Sequence, residues 1–271
     1  MKYNTINKYP FLTKEVFEAD YKELKTLPAI AKKYNLTLGI IKYIRKQLGV
    51  VVDRSCGKSK YTVNENIFNY DNEVGFYVAG FAAADGNIFH DKRSNTSMFC
   101  IGLAKKDREH LTKIKNAIEF SGPILDYEYD VIRPSCRMAI YCSKPLIKDL
   151  AINFNVVPRK TFIYEFPERL INHSMVNHFI RGYFDGDGCF YVNKKNMVTF
   201  ELLGTKLFLE SVQLILEREC ELNSKIIVRK IKNIYRLRYS AKNMVSKICK
   251  FLYKDSNILL QRKWDKIKHL L

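Results

Sequence analysis

Apolar residues recur at helical spacing in the first 50 residues of the chain and predict three short helices. The first helix follows the capping residue Thr13. The second covers residues 27–34 and has Pro28 in its first turn, where a missing N–H costs nothing. The third covers residues 37–49 and begins at a second capping threonine, Thr37. A tight turn separates the second helix from the third.

The polar face of the third helix carries Lys42, Arg45 and Lys46. Two short helices, a tight turn and a basic third helix are the parts with which a helix-turn-helix lays its recognition helix in a major groove. A plain three-helix bundle with a solvated basic face would show the same pattern. Of the two, we favour a helix-turn-helix domain over residues 1–52, with these three cations on DNA.

Residues 53–70 are polar and lack a helical period, which indicates a linker between domains. The linker is basic, and Arg54 and Lys58 could hold it against a phosphate backbone or in a minor groove, as basic arms do. A linker that is simply solvated is the alternative.

The rest of the chain, residues 71–271, is an internal duplication. The segment EVGFYVAGFAAADGNIF (73–89) resembles NHFIRGYFDGDGCFYV (177–192). After it, each copy continues with a β-hairpin, a helix, a second hairpin, a second helix and a short basic segment. The predicted fold class is therefore α+β, with two αββαββα repeats at about 71–170 and 171–271, plus a small all-α domain.

Small residues line one face of each helix that opens a repeat. Gly80 and Ala84 stand four positions apart in the first copy, and Gly182 and Gly186 do so in the second. Residues at this spacing share a helix face, so the two helices can bring their backbones unusually close. We expect this contact to join the two repeats.

An aspartate and a glycine end each of these helices, as Asp85-Gly86 and Asp187-Gly188. Glycine is a common helix stop, and two ordinary Asp-Gly turns would explain the pattern. A carboxylate at a helix C-terminus, however, opposes the helix dipole at a cost of roughly 0.3–1 kcal/mol. A chain that does this twice, at adjoining helices, needs a compensating cation, and carboxylate oxygens suit Mg²⁺. Metal-activated water could then attack a phosphodiester.

The composition makes nucleic acid the expected partner. The 271 residues include 46 Lys and Arg against 28 Asp and Glu, a formal net charge of +18, and such an excess attracts polyanions. With 47 % hydrophobic residues the chain can also bury a core. The seven cysteines form no CxxC pair, so neither a zinc site nor a disulfide framework is indicated, and we expect reduced core thiols.

Nothing in the sequence indicates secretion or a membrane span. The polar start MKYNTINKYP is not a signal peptide, and the apolar run at 74–84 is too short to cross a bilayer. We expect a soluble intracellular protein that meets no membrane, in the cytoplasm of a bacterial or phage-infected host or in an organelle.

The segments VAGFAAADG (78–86) and IRGYFDGDG (180–188) resemble the two copies of the nine-residue motif that names the LAGLIDADG homing endonucleases. The resemblance covers about residues 71–271, including the order of elements after each motif. It implies a pseudo-two-fold monomer whose two saddle-shaped sheets sit on a long, specific double-stranded DNA target. It also implies cleavage of both strands across the minor groove.

In that family the last acid of each motif binds shared divalent metals, which implies two or three Mg²⁺ ions between the two repeats. The implied metal contacts are Asp85, Asp187, Ala84 and Gly186. The sixth motif letter is usually Asp, which Asp185 keeps and Ala83 does not. Since that position is not the metal-binding one, we interpret the departure as a change of packing.

The family also places a polar residue after the first hairpin and a lysine near the end of each repeat, close to the metal-bound water. Lys105 and Thr205 fall at the first place, and Lys160 and Lys263 fall at the second. The resemblance thus implies that Lys105, Lys160 and Lys263 assist catalysis, with a solvated or phosphate-contacting lysine as the alternative for each. The close competitors for these assignments are Lys106, Arg159 and Arg262.

Further cations lie where strands and hairpins could meet DNA. Period-two alternation puts neighbouring arginines on one strand face, and lysines occupy the tips of the first hairpins. The predicted phosphate or base contacts are Lys92, Arg93, Lys194, Lys195, Arg236 and Arg238. Solvated hairpin tips are the alternative.

These features predict a site-specific, metal-dependent endonuclease that hydrolyses one phosphodiester in each DNA strand, with a footprint extended by the helix-turn-helix. Two other classes share the scaffold. One is a transcriptional regulator that keeps the fold for DNA binding alone, and the other is a maturase that binds intron RNA. Loss of the motif acids would favour the regulator, and both acids are present.

Overall fold

The computed structural model describes most of the chain and divides it into two compact units. The described residues are 8–24, 26–50, 61–91, 96–127, 132, 134–141, 143–194, 197–222 and 228–270. The first unit takes in Met1–Ser59, and the second holds almost all of the chain from Lys60 to Leu271.

Three helices make up the described part of the first unit, and each begins at a threonine cap. They are α1 (Lys14–Leu24), α2 (Leu27–Lys33) and α3 (Leu38–Gln47). Thr13, Thr26 and Thr37 each accept a hydrogen bond, at 3.3–3.4 Å, from an N–H group of the first turn. Such groups have no partner inside the helix, so the three threonines fix where the helices start.

A short turn joins α2 to α3 and packs the helices on a small core. Asn35 takes a left-handed conformation there, with φ of 54°, which asparagine tolerates better than most residues. The N–H of Leu36 bonds back to the carbonyl of Ala31 at 2.9 Å. The core residues are Leu12, Phe17, Ile30, Ala31, Ile41, Ile44 and Val50. The predicted helices are present, and DNA binding by this unit stays a prediction.

The second unit contains two αββαββα repeats in the predicted order, which confirms the α+β fold class. The first repeat consists of α4 (Glu73–Asp85), β1 (Gly86–Asp91), β2 (Thr96–Ala104), α5 (Arg108–Ala117), β3 (Ile124–Tyr127), β4 (Ser135–Tyr141) and α6 (Lys144–Phe154). The second repeat consists of α7 (Val176–Asp187), β5 (Gly188–Val192), β6 (Val198–Gly204), α8 (Lys206–Glu219), β7 (Arg229–Ile231), β8 (Ile234–Tyr239) and α9 (Lys242–Tyr253). A short helix, α10 (Gln261–Trp264), follows it.

Each repeat folds its four strands into one sheet with the same topology. The strand orders are β1-β2-β4-β3 and β5-β6-β8-β7. One face of each sheet is buried, as Ile101 and Leu103 show in β2, while Gly102 between them and Ala104 after them are exposed. This alternation is typical of a sheet that packs on helices with one face and keeps the other open.

Helices α4 and α7 lie at the centre of the second unit. Residues 75–83 of α4 and 176–185 of α7 are all buried, and both stretches join the single apolar core of this unit. A helix without an exposed face belongs in the middle of a protein. The motif helices therefore form the structural axis that the two repeats share.

The second unit begins before the boundary that the sequence pattern places at residue 71. Residues 61–70, assigned to the linker, pack on the first repeat: Ile67 and Phe68 are buried, and the N–H of Asn64 bonds to the carbonyl of Ile118 at 3.0 Å. Two apolar residues among polar ones carry no periodic signal, so only the tertiary contact reveals their place.

The described cysteines are all unpaired. Cys100, Cys136, Cys220 and Cys249 are buried, whereas Cys189 is exposed on β5. Within the described part of the chain, no helix is long and apolar enough to cross a membrane.

Candidate catalytic centre between the two repeats

Helices α4 and α7 meet backbone to backbone. A Cβ atom placed on Gly80 would lie 2.0 Å from the carbonyl oxygen of Phe179, and one on Gly182 would lie 2.0 Å from the carbonyl oxygen of Tyr77. Side-chain carbons do not approach backbone oxygens so closely, so the contact requires glycine at both positions. This is the close approach that the spacing of small residues predicts.

The two motif aspartates end these helices side by side. Asp85 is the last residue of α4, and Asp187 is the last residue of α7. A Cβ on Gly186 would lie 2.4 Å from the Cβ of Ala84 and 3.3 Å from Oδ2 of Asp85. The Asp85 carboxylate therefore reaches across the contact to the residue before Asp187.

The glycines after the aspartates end the two helices, as the sequence predicts, and they do so in extended rather than left-handed backbone. Gly86 has φ −78° and ψ 150°, and Gly188 has φ −96° and ψ 166°, which is extended backbone at the start of β1 and β5. Glycine is required there for space. A Cβ on Gly86 would lie 2.5 Å from the carbonyl oxygen of Ala82, and one on Gly188 would lie 2.1 Å from the ring of Phe184.

The two carboxylates interact through their charges. Partial burial and, next, the charge of Asp187 raise the pKa of Asp85 to about 6. Burial also raises the pKa of Asp187, while the positive charges of Lys160 and Lys263 oppose the rise. Both side chains still reach solvent, because protein surrounds them on some sides only. A bound cation would relieve the repulsion from that open side.

Lys160 and Lys263, the lysines near the ends of the repeats, are buried beside this centre, with 7 % and 3 % of their surface exposed. Lys160 donates a hydrogen bond from Nζ to the carbonyl oxygen of Gly86 at 2.6 Å. Burial lowers the pKa of both ammonium groups, that of Lys263 to about 8. Both lysines lie close enough to the two carboxylates for their charges to lower the pKa of each.

The ammonium group of Lys263 neutralises the C-terminal end of α7. Its Nζ donates to the carbonyl oxygens of Phe184 at 2.6 Å, Asp185 at 2.7 Å and Gly188 at 2.6 Å. The oxygens of Phe184 and Asp185 belong to the last turn of α7, at the negative end of the helix dipole. A lysine thus supplies part of the positive charge that the sequence argument assigns to metal alone.

The donor atoms at this centre fit a hard divalent cation. They are the two carboxylates and the carbonyl of Gly186, which also receives a long hydrogen bond of 3.4 Å from Lys263. Among the described residues, no group of three or more His, Cys, Asp or Glu side chains could enclose a metal. An ion held by two carboxylates must complete its shell with water or substrate oxygens, which is how Mg²⁺ is usually bound.

Residues 174–250 match a family model described as a LAGLIDADG-like domain. The second repeat is therefore similar to a LAGLIDADG-like domain. The matched segment begins just before α7 and runs into α9, so it includes the motif helix and both hairpins of this repeat. A comparison with curated protein sequences finds no significant match.

Solved structures of homing endonucleases have similar folds. Mesophilic variants of the homing endonuclease I-DmoI are 16 % identical, with a TM-score of 0.50 over 75 % of this chain and 99 % of theirs. The LAGLIDADG homing endonuclease I-GzeII in complex with its DNA target is 13 % identical, with a TM-score of 0.50 over 73 % of this chain and 88 % of its own. At these identities the likeness shows the LAGLIDADG fold, as the motifs predict.

Two of the competitors that the sequence offers, Lys106 and Arg262, line a cavity beside the motif acid Asp85. The cavity has a volume of about 290 Å³. Arg262 is paired with Asp107 through two hydrogen bonds of 2.7 and 3.0 Å. Lys105 is half-buried at the end of β2.

Thr205 and Arg159 occupy other surroundings. Thr205 caps α8: its Oγ1 accepts from the N–H of Phe208 at 3.3 Å and donates to the carbonyl of Tyr164 at 2.5 Å. Arg159 is exposed and holds a left-handed φ of 60° just before Lys160. The positive charges that act on the two motif carboxylates are those of Lys160 and Lys263, with Arg262 also acting on Asp85.

Sequence reasoning left out two polar contacts that cross between the LAGLIDADG helices. Oδ2 of Asp185 accepts from the hydroxyl of Tyr77 at 2.7 Å, and the fully buried Arg181 donates to Glu73 at 2.5 Å. The available signal was an arginine in the middle of an otherwise apolar helix. A buried charge of this kind must have a partner, but the sequence does not say which one.

The predicted DNA contacts of the first unit lie on α3 and beyond it. Lys42 and Lys46 are exposed, and Arg45 is half-buried. The linker residues Arg54 and Lys58 lie outside the described residues.

In the second unit, β8 carries two of the predicted DNA contacts on its open face. Arg236 and Arg238 alternate with the buried Leu237 and Tyr239, as period-two spacing predicts. Lys194 is exposed in the turn after β5. The remaining predicted contacts of this unit, outside the described residues, are Lys92, Arg93 and Lys195.

Proposed function

We propose that this protein is a divalent-metal-dependent DNA endonuclease that cuts one phosphodiester in each strand of a long double-stranded target. The observation that carries the proposal is the pairing of Asp85 and Asp187 at the ends of two backbone-packed helices. The LAGLIDADG-like domain supports it, and so does the fold shared with homing endonucleases, one of which was solved with its DNA target. The net charge of +18 suits a polyanionic substrate.

In this mechanism the two motif carboxylates would hold the ions, with the carbonyl groups of Ala84 and Gly186 beside them. Mg²⁺, when bound, supplies an activated water and stabilises the leaving oxygen of the phosphodiester. Asp85 must be ionised to bind a cation, and a pKa of about 6 leaves it ionised at neutral pH. Lys160 and Lys263 place fixed positive charge beside the carboxylates, which favours the negative charge that develops on the phosphate.

The DNA contacts proposed for this enzyme come from both units. The arginines on the open face of β8 and the lysines of the hairpin tips would hold the target at the LAGLIDADG domain. The first unit would act as a helix-turn-helix that extends the footprint through Lys42, Arg45 and Lys46. One chain contains both repeats, so a monomer has both halves of the centre.

The test is cleavage of candidate DNA by the purified protein with and without Mg²⁺. Asp85→Asn and Asp187→Asn should each reduce cleavage by at least about 100-fold, because each removes one carboxylate that holds the ions. Glu210→Gln serves as the matched control, since it removes an exposed carboxylate on α8 that pairs only with Lys206 on the surface. Cleavage at the normal rate by either aspartate variant would rule out the mechanism.

A scaffold kept for DNA binding alone would not need the two carboxylates. Burial and, next, the charge of Asp187 raise the pKa of Asp85, so the ionised pair destabilises the metal-free folded protein. Retention of both acids at this cost favours the endonuclease over the regulator.

A further inference from the structure

The two LAGLIDADG helices are related by an offset of 102 positions, from Asp85 to Asp187. Along this pseudo-symmetric pair, buried polar side chains hold the C-terminal segment of the second repeat. The residues at the symmetry-related positions, which lie in both repeats, are apolar. The two halves of the centre are therefore built differently around the same pair of acids.

Asp185 is the first of the buried polar groups. It is 1 % exposed, and its Oδ2 accepts hydrogen bonds from the hydroxyl of Tyr77 at 2.7 Å and from the N–H of Leu260 at 2.8 Å. The same hydroxyl contacts Nε2 of His110 at 2.9 Å. Helix α4 of the first repeat is thus connected through α7 to the backbone three residues before Lys263.

Arg181 is the second, and it holds an earlier part of the same segment. Its guanidinium donates to the carbonyl oxygens of Leu252 at 2.9 Å and Ile258 at 3.2 Å, and to Glu73 at 2.5 Å. Glu73 in turn accepts from the backbone N–H and the side-chain amide of Asn257, both at 3.1 Å. Glu73 belongs to the first repeat, so both repeats hold the chain that leads to Lys263.

The corresponding positions of the other half are apolar. Adding or subtracting the offset of 102 gives, for each polar residue, the residue at the symmetry-related position. The pairs are Asp185 with Ala83, Tyr77 with Phe179, Arg181 with Ala79, and Glu73 with Met175. The hydroxyl, the carboxylates and the guanidinium are all missing from that half, and its lysine, Lys160, bonds to the single carbonyl of Gly86.

We propose that Tyr77, Asp185 and Arg181 are positioning residues, which fix the backbone that carries Lys263. Of the two half-centres, only the one that contains Lys263 depends on them. This rests on the proposed endonuclease function. Removal of these contacts should loosen the segment from residue 257 to 264 and slow cleavage of one DNA strand more than the other. A cut in one strand only leaves nicked DNA, so nicked product should accumulate.

The first test needs neither DNA nor metal. Tyr77→Phe removes the hydroxyl and leaves the ring, and Tyr77→Phe with Asp185→Ala recreates the pair Phe179–Ala83 that the other half already contains. Hydrogen exchange of residues 257–264 should become at least about fivefold faster in both variants, because Leu260 loses support for its hydrogen bond. Exchange equal to that of the wild type would overturn the proposal, whatever the protein does to DNA.

The matched control is Tyr183→Phe. It removes a hydroxyl from α7 that is not part of the network: Tyr183 donates to the carbonyl of Leu203 in β6 at 3.2 Å. Residues 257–264 should exchange at the wild-type rate in this variant. Faster exchange there would mean that any loss at the helix contact loosens the segment, which contradicts a specific positioning role.

The second test resolves the two strands of a cleaved plasmid. The wild type should give linear product, whereas the Tyr77→Phe, Asp185→Ala double variant should pass through a nicked circle that is at least about threefold more abundant. Equal slowing of both strands would overturn the claim that one half-centre alone depends on the network. A wild type that cuts no DNA would refute the endonuclease proposal and leave the exchange result standing.

Discussion

At the scale of single residues, the motif carboxylates stand where local physics disfavours them. Each ends a helix, where the dipole is negative, and partial burial and the second carboxylate raise the pKa of Asp85 to about 6. Lys160 and Lys263 lie beside them and offset part of this cost. Ionisable residues whose placement destabilises the folded state in this way are typical of functional sites.

The first prediction is that Asp85→Asn stabilises the metal-free protein at neutral pH. The folded protein keeps the proton on Asp85 up to a higher pH than the unfolded chain does, so ionisation costs stability above a pH of about 6. Discounted for solvent screening, the gain should be about 1 kcal/mol. Urea unfolding with a chelator present measures it.

The gain should shrink as the pH falls from 6 towards 4, where the carboxyl is already neutral in the folded protein. Glu210→Gln, on the surface of α8, should leave stability unchanged at both pH values. A less stable Asp85→Asn protein at neutral pH would contradict the electrostatic account.

At the scale of elements, the contact between α4 and α7 depends on glycine. The backbone approach at Gly80 and Gly182 leaves no room for a methyl group, and both helices are buried on all sides at this level. A helix glycine normally weakens a helix by roughly 0.5–1 kcal/mol relative to alanine. The packing that it permits must outweigh this cost here.

The second prediction is that Gly80→Ala destabilises the second unit by at least about 2 kcal/mol, because the new methyl group meets the backbone of Phe179 at 2.0 Å. The matched control is Gly39→Ala on α3, where the nearest atom would be Oγ1 of Thr37 at 3.8 Å. That variant should be neutral or more stable by up to about 1 kcal/mol. Equal effects of the two substitutions in urea unfolding would exclude a steric cause.

The open faces of the two sheets differ in charge. The second sheet presents Arg229, Arg236 and Arg238, with Arg229 directly opposite Arg236. On the open face of the first sheet, within the described residues, Arg137 is the one Lys or Arg. Since arginine reads guanine with two hydrogen bonds, we expect guanine preferences in the half of the target under the second repeat.

The third prediction is that Arg238→Ala relaxes base preference at one position of that half by about tenfold, because one bidentate contact is lost. Selection from a randomised target library measures the change. Lys250→Ala removes an exposed charge from α9 and should leave every base preference intact. A uniform loss of affinity in Arg238→Ala would instead assign Arg238 to the phosphate backbone.

At the scale of the whole molecule, the repeats share one core and one polar network, so loss of either half should unfold the other. Two buried histidines belong to that network. His110 contacts Tyr77 at 2.9 Å, and Nδ1 of His178 lies 2.8 Å from Arg181. Burial lowers the pKa of each to about 4.

The fourth prediction is that the second unit loses stability in mild acid. The unfolded chain binds protons on these histidines near the ordinary pKa of 6.5, while the folded protein does not until about 4. The unfolding free energy should fall by about 2 kcal/mol for each histidine between pH 7 and 5. Urea unfolding at both pH values measures it.

His110→Gln should reduce this fall by about half, since it removes one of the two titrating groups and keeps a hydrogen-bond donor. His90→Gln is the control, because His90 is exposed on β1. An unchanged pH dependence in His110→Gln would assign the acid lability to other groups.

The sequence by itself determined the elements, the duplication and the two acids. Caps at Thr13 and Thr37, the helical period and the repeated motif are local patterns, and a local pattern can be read without knowing the fold. The glycine spacing even predicted how α4 and α7 approach, because small residues four positions apart share a face.

Only the tertiary structure decided which groups surround the acids. The partner of Asp185 is Tyr77, and the partner of Arg181 is Glu73, each 108 positions away. It also placed Lys160 and Lys263 beside the two carboxylates and brought residues 61–70 onto the second unit. The reason is physical: burial, charge coupling and steric contact depend on distances in space, and no periodicity along the chain encodes distances between residues so far apart.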